Sequence, residues 1–181
     1  MNHIRNNKGI SLLEVLVVIA IIGVMSGGVV MTFHMVHTIK PSSCAKSIDS
    51  CLEEVKSEAM SKGTPPYLVL YQSEDSEHPG YYAARTTSLE TYTKQPEYDT
   101  KVSDKDVMIE VTLTDKTVID IAKNDVLITF DRAAGSVKEC YVATKGNVPE
   151  RRKPPELIRI TGGGRESSIH IVAETGKHFV E

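Results

Sequence analysis

The sequence reads as an α+β protein: a long N-terminal hydrophobic α-helical stem packed on a small antiparallel β-rich head. Val15 to Ile39 is a run of 25 residues without Asp, Glu, Lys or Arg. The stretch after Pro41 is polar with apolar residues at helical steps, and from Tyr67 onward short β-branched and aromatic runs alternate with Pro, Gly, Asn and Asp. A length of 181 residues, 40% of them apolar, fits one ordinary domain with an appendage and excludes a multidomain machine. The formal net charge of -3 excludes a globally basic nucleic-acid binder. Three cysteines close no disulfide framework and match no zinc spacing, so the fold rests on packing.

Residues 1–9 (MNHIRNNKG) are polar, with Arg5 and Lys8 as their only charged side chains. At about 1.5 Å per residue the uncharged run makes about 37 Å of helix, enough for a bilayer core of roughly 30 Å. The cations ahead of it resist translocation. This predicts a single pass through the cytoplasmic (inner) membrane, with the N-terminus cytoplasmic and the chain beyond about Lys40 extracytoplasmic. A secretory signal would have a shorter apolar core and an A-x-A site; only the Ser26, Gly27, Gly28 cluster offers that alternative. Glu14 lies inside the apolar segment, where a charge costs on the order of 2.5–3.5 kcal/mol and ordinarily has a partner. Its carboxylate either snorkels to the cytoplasmic interface or is neutralised by a cation within a helix bundle. Gly23, Ser26, Gly27 and Gly28 weaken helix propensity in the outer half, and Gly23-x-x-x-Gly27 also fits close helix contact. His34 and His37 are two ligands without a third and carry no metal site.

Cys44, Ile48, Cys51, Val55 and Ala59 mark the apolar stripe of a second helical stretch, widened by Leu52 and Met60. Ser42 or Ser43 caps its start, Gly63 with Pro65-Pro66 ends it, and in the assembled subunit the two stretches form one long stem, kinked or interrupted near Pro41. Cys44 and Cys51 lie roughly 10 Å apart along a regular helix, too far for a mutual disulfide, whereas Cys140 is open to pairing with either. Strands are predicted at Tyr67 to Tyr71, Tyr81 to Arg85, Val107 to Leu113, Val126 to Phe130, Val137 to Ala143, Leu157 to Thr161, Ser168 to Val172 and Lys177 to Val180. Ser73 to Gly80 and Ser88 to Lys105 read as polar, partly mobile loops.

Lys8-Gly9 followed by Ile10-Ser11-Leu12-Leu13-Glu14 and the apolar run to Gly23 resembles the class III signal of type IV pilins and type II secretion pseudopilins. The resemblance implies cleavage by prepilin peptidase between Gly9 and Ile10, methylation of Ile10 and retention of the transmembrane helix for pilus assembly. Most members begin the mature chain with Phe and have a helix-breaking proline where this chain has Met31. Glu14 matches the family's glutamate, and the new amine of a neighbouring subunit would neutralise it and set axial register. The implied partners are other pilins or pseudopilins and an inner-membrane assembly platform. The chain then divides into a leader at 1–9, a transmembrane assembly helix at 10–39, an amphipathic continuation at 40–63 and an extracytoplasmic head at 64–181.

Ser57 to Gly63, Ile128-Thr129-Phe130-Asp131 with Gly135, and Ile169 to Val172 with Thr175-Gly176-Lys177 resemble the GspH/FimT-like minor pseudopilin domain. That resemblance implies a minor subunit at filament initiation or the tip. Some FimT-like proteins take up DNA through a C-terminal Gly-Arg-x-Arg motif, whose counterpart here is Gly176-Lys177-His178-Phe179 with one cation fewer. Lys145, Arg151, Arg152 and Lys153, together with Lys177, are the candidate phosphate contacts. Loss of Arg5 and Lys8 leaves 19 of the 21 cations against 24 acids, a formal -5, which disfavours DNA as a partner. A membrane-anchored extracytoplasmic domain of other function is the remaining alternative. Gly162-Gly163-Gly164-Arg165 lacks the Lys-Ser/Thr of a phosphate loop and sits between strand-like runs, so it reads as a hairpin turn. The scattered histidines and the absence of a Ser-His-Asp order or HExxH spacing give no catalytic residues, no metal and no cofactor.

Overall fold

A computed structural model describes residues 12–89, 93–144 and 147–181, and within its helix the side chains at 15–19, 21 and from 40 onward. The chain divides into two compact units, Met1–His37 and Thr38–Glu181. Helix α1 is Leu12–Ser61 and has Pro41 inside it. The proline removes one backbone donor without ending the helical run, so Ser42 and Ser43 fall inside α1 and neither caps a separate helix. In the first unit Val15–Ile19 and Ile21 are all exposed, Leu16 at 63% and Ile19 at 64%.

In the second unit the strands are β1 (Tyr67–Ser73), β2 (Gly80–Thr86), β3 (Thr100–Ser103), β4 (Met108–Leu113), β5 (Val118–Asp120), β6 (Asn124–Phe130), β7 (Val137–Thr144), β8 (Glu150–Arg152), β9 (Pro155–Gly162), β10 (Arg165–Val172) and β11 (Lys177–Val180). They form two antiparallel sheets, ordered β3-β2-β1-β6-β7-β8 (sheet A) and β11-β10-β9-β4-β5 (sheet B). Each sheet therefore ends in a strand of only three or four residues on either side: β3 and β8, β11 and β5. Three of these four edge strands escaped the pattern. β3 lies within Ser88 to Lys105, β5 lies just before Ile121, and β8 takes in the Arg151-Arg152 pair read as a basic loop. Each is too short to display an alternation of its own and is held by one neighbour.

One core unites these elements. Cys44, Ala45, Ile48, Leu52, Val55 and Ala59 of α1 pack with Leu68, Leu70, Ile128, Phe130 and Cys140 of sheet A and with Ile109, Val111, Ile158, Ile160 and Ile169 of sheet B. At about 100° per residue these helical positions share one azimuth, whereas Cys51 and Met60 point to its flanks. Cys51 is accordingly half-buried while still packed against the core, and Met60 is exposed, contrary to its place in the predicted stripe. The helix ends where Gly63 predicts: Lys62 N–H donates to Glu58 O at 2.9 Å.

The outer face of sheet A carries a second cluster of Val69, Tyr71, Tyr82, Ala84 and Leu127, with Leu89 packed on it. Tyr71 is fully buried; its hydroxyl donates to Asp99 at 2.6 Å. Lys94 Nζ lies 5.3 Å from the Tyr71 ring and 2.7 Å from Asp125. The described part of Ser88 to Lys105 is thus pinned as a cover over this sheet, not a loose loop.

The two sheets meet at a pair of turns. Between β6 and β7, Asp131 accepts from the backbone N–H groups of Ala133 and Ala134, which hold its carboxyl below the usual range, and Gly135 has φ +64. Between β10 and β11, Gly176 has φ +59, and a Cβ there would stand 1.9 Å from Gly135 O. Val137 N–H donates to Ala173 O at 2.8 Å across the same junction. The helix reaches it as well: Lys56 Nζ donates to Gly176 O at 2.9 Å, and Met60 Sδ lies 3.2 Å from the Cβ position of Gly135. His178, its side chain 5% exposed, donates from Nδ1 to Gly176 O at 3.1 Å. Its Nε2 faces Glu53 at 3.4 Å and Asp49 at 3.7 Å. Gly163 and Gly164, with φ +58 and +76, make the two-residue β9–β10 hairpin that the sequence predicts for the glycine run. Gly176→Ala is expected to destabilise the protein by about 2 kcal/mol or more, since it combines a left-handed backbone with a clash against a carbonyl. Thermal unfolding checks this; an unchanged Tm would contradict the close approach.

Candidate functional site

The β7–β8 ladder pairs Cys140 with Arg152 and Tyr141 with Arg151. A cleft of about 510 Å³ opens beside it, lined by Lys138, Glu139, Arg151, Arg152 and Lys153 and by Asp115 from the β4–β5 turn. Glu139 is the organising acid. It accepts from the Tyr67 hydroxyl at 3.3 Å and the Tyr141 hydroxyl at 3.1 Å, and lies 3.5 Å from the Arg151 guanidinium. Burial, and after it the Glu139 carboxylate, pushes both phenols above their ordinary value, so they remain protonated donors. Arg152 bonds Glu150 at 2.7 Å. Asp115 accepts from Thr117 N–H at 3.0 Å, which keeps its carboxyl below the usual range.

The candidate phosphate contacts thus separate. Arg151, Arg152 and Lys153 share the cleft; Lys145 lies outside the described residues. Lys177 begins β11, the edge of sheet B opposite β5, so it stands apart from the cleft. Lys138, which the sequence pattern did not single out, joins the group because the β7–β8 pairing sets it near Arg152. Only its place in Val137-Lys138-Glu139-Cys140, one cation between buried positions of a strand, hinted at this.

Among the described residues no group of three or more His, Cys, Asp or Glu is placed to hold a metal ion. The described histidines serve separate local contacts: His78 pairs with Asp75 at 3.0 Å, His170 stacks on Phe179 at 5.3 Å, and His178 clasps α1. His34 and His37 lie outside the described side chains.

Lys8, Gly9 and Ile10 lie outside the described residues, as does the side chain of Glu14. Their sequence, however, has a match. Residues 4–30 match the family described as the prokaryotic N-terminal methylation motif. This chain carries a prokaryotic N-terminal methylation motif. The methylation motif is typical of type IV pilins and pseudopilins, and its matched span takes in Lys8, Gly9, Ile10 and Glu14. Comparison with curated proteins and with solved structures finds no match. Among the described residues no helix is long and apolar enough to cross a membrane; most of the run from Val15 to Ile39 lies outside the described side chains. A motif of this type suggests a structural subunit.

All three cysteines are free thiols. Burial pushes Cys44 and Cys140 up to about 12, and raises Cys51 less. At about pH 8.5, where an ordinary thiol is half ionised, a thiol reagent should label Cys51 first. Cys44 and Cys140 should label only on unfolding, which peptide mapping after timed alkylation would read; rapid labelling of Cys140 would contradict its burial.

Proposed function

We propose that this chain is a minor pilin or pseudopilin, a subunit of a type IV pilus or type II secretion-like filament. The methylation motif at residues 4–30 is the observation that carries the reading. In this account prepilin peptidase cuts between Gly9 and Ile10, with Lys8 in the leader, and Ile10 is methylated. The helix from 10 to 39 is kept as a single-pass anchor with a cytoplasmic N-terminus and is later transferred from the membrane into a helical bundle. The exposed apolar side chains of Val15–Ile19 and Ile21 suit both environments, lipid first and neighbouring helices second.

Glu14 supplies the register. In a low-dielectric bundle an unpaired carboxylate is costly, so subunits settle where the amine of one Ile10 reaches the Glu14 of a neighbour. The partners are other pilins or pseudopilins and the inner-membrane assembly platform. The GspH/FimT resemblance assigns the subunit to filament initiation or the tip.

Mass spectrometry of the membrane-extracted protein should find residues 1–9 removed and one methyl group on Ile10. Recovery with residues 1–9 attached, or with a start beyond residue 39, would overturn the reading. Gly9→Val should leave the precursor uncut. Glu14→Val should be inserted and cleaved normally yet be missing from sheared filaments, and normal incorporation would count against the register role.

A further inference from the structure

We infer that the cleft beside the β7–β8 edge of sheet A binds phosphoryl anions, either as small free anions or as the phosphodiester groups of a nucleic-acid strand. The inference stands apart from the filament reading and does not depend on it.

The charge in the cleft runs against the charge of the chain. Lys138, Arg151, Arg152 and Lys153 meet there with two acids, Glu139 and Asp115, in a protein whose formal net charge is -3. Both acids are already engaged. Glu139 holds two tyrosine hydroxyls and Arg151, so it fixes the guanidinium in place instead of neutralising the lysines. Asp115 is bound within its own turn by Thr117 and is drawn in addition to Arg152. Among the described residues neither the Lys138 nor the Lys153 ammonium is hydrogen-bonded or ion-paired. Arg151 is held by Glu139 and Arg152 by Glu150, and Lys138 feels Asp131 only at longer range, so the two lysine ammoniums are the excess cation of the cleft. A phosphoryl group, with several acceptor oxygens and up to two charges, matches them: the guanidiniums bond it directionally and the lysines act as mobile point charges.

The size and the floor of the cleft agree. A volume of about 510 Å³ lies within the range of small-molecule sites. The floor includes Cys140, whose burial keeps its sulfur a neutral thiol, so no thiolate opposes an anion there.

The test uses the full chain in a non-ionic detergent. Inorganic pyrophosphate is titrated calorimetrically, and a fluorescent single-stranded oligothymidylate is titrated by anisotropy. Saturable binding weakened by salt is expected in at least one arm. Lys138→Gln with Lys153→Gln should weaken it by about tenfold, with circular dichroism and Tm unaltered. Arg152→Gln should weaken it as well, and Lys177→Gln, on the opposite edge, should not. Comparable binding of pyrophosphate and oligonucleotide identifies a small anion as the source; much tighter oligonucleotide binding identifies a strand. Absence of saturable binding in both arms would overturn the inference. So would a double variant that binds as well as the unsubstituted chain, or loss of binding through Lys177→Gln alone.

Discussion

Gly135 O occupies the space that a side chain at residue 176 would fill, and the architecture of the head is organised around that contact. The two turns belong to different sheets. With Val137 N–H bonded to Ala173 O they fix sheet A against sheet B at one end. The Gly176 carbonyl also receives Lys56 and His178, so the helix is tied to the same point. A hydrophobic core alone is not directional; helix and sheets could slide over it at little cost. The junction supplies the missing direction, because hydrogen bonds and left-handed glycines tolerate only one arrangement.

Electrostatics follow a similar division between fixed and uncommitted groups. Most described cations sit beside carboxylates, as in Lys94 with Asp125, Lys116 with Glu156 and Arg159 with Glu166. The exposed ones among them, such as Arg159 with Glu166, contribute little to stability individually, whereas Asp125 is buried beneath the Tyr71 cover. The β7–β8 cleft departs from this rule, and the departure is built on strand pairing: Glu139 and its two tyrosines hold Arg151 from one strand to the next.

What could be read from residues alone depended on how local each signal was. The motif around Gly9, Ile10 and Glu14 is contiguous and was legible without any fold. The eight predicted runs carry their own apolar, β-branched or aromatic signal, and all eight appear near the predicted bounds. The helical stripe was legible through its period, with Met60 misplaced because it lies beyond the margin and Cys51 packed at the edge of the core. The edge strands β3, β5 and β8 were not legible, because they are short and lie in polar or charged stretches, whereas β11, equally short, carries Phe179 and Val180 after a glycine turn. The cleft was half visible: Arg151-Arg152-Lys153 are adjacent in sequence, but Lys138 joins them only through the β7–β8 register. Lys177 entered through the resemblance of its tail to a Gly-Arg-x-Arg motif, and the order of the sheets takes it to the far side.

The abbreviated outermost strands bear on how many such heads can be crowded together. A long open rim of amide and carbonyl groups invites another chain to zip on and extend the sheet, which is the route to disordered fibres. Here every rim ends after three or four residues. Neighbouring heads at high local density are thereby denied a template for sheet extension, and ordered stacking is left to contacts between side chains and helices.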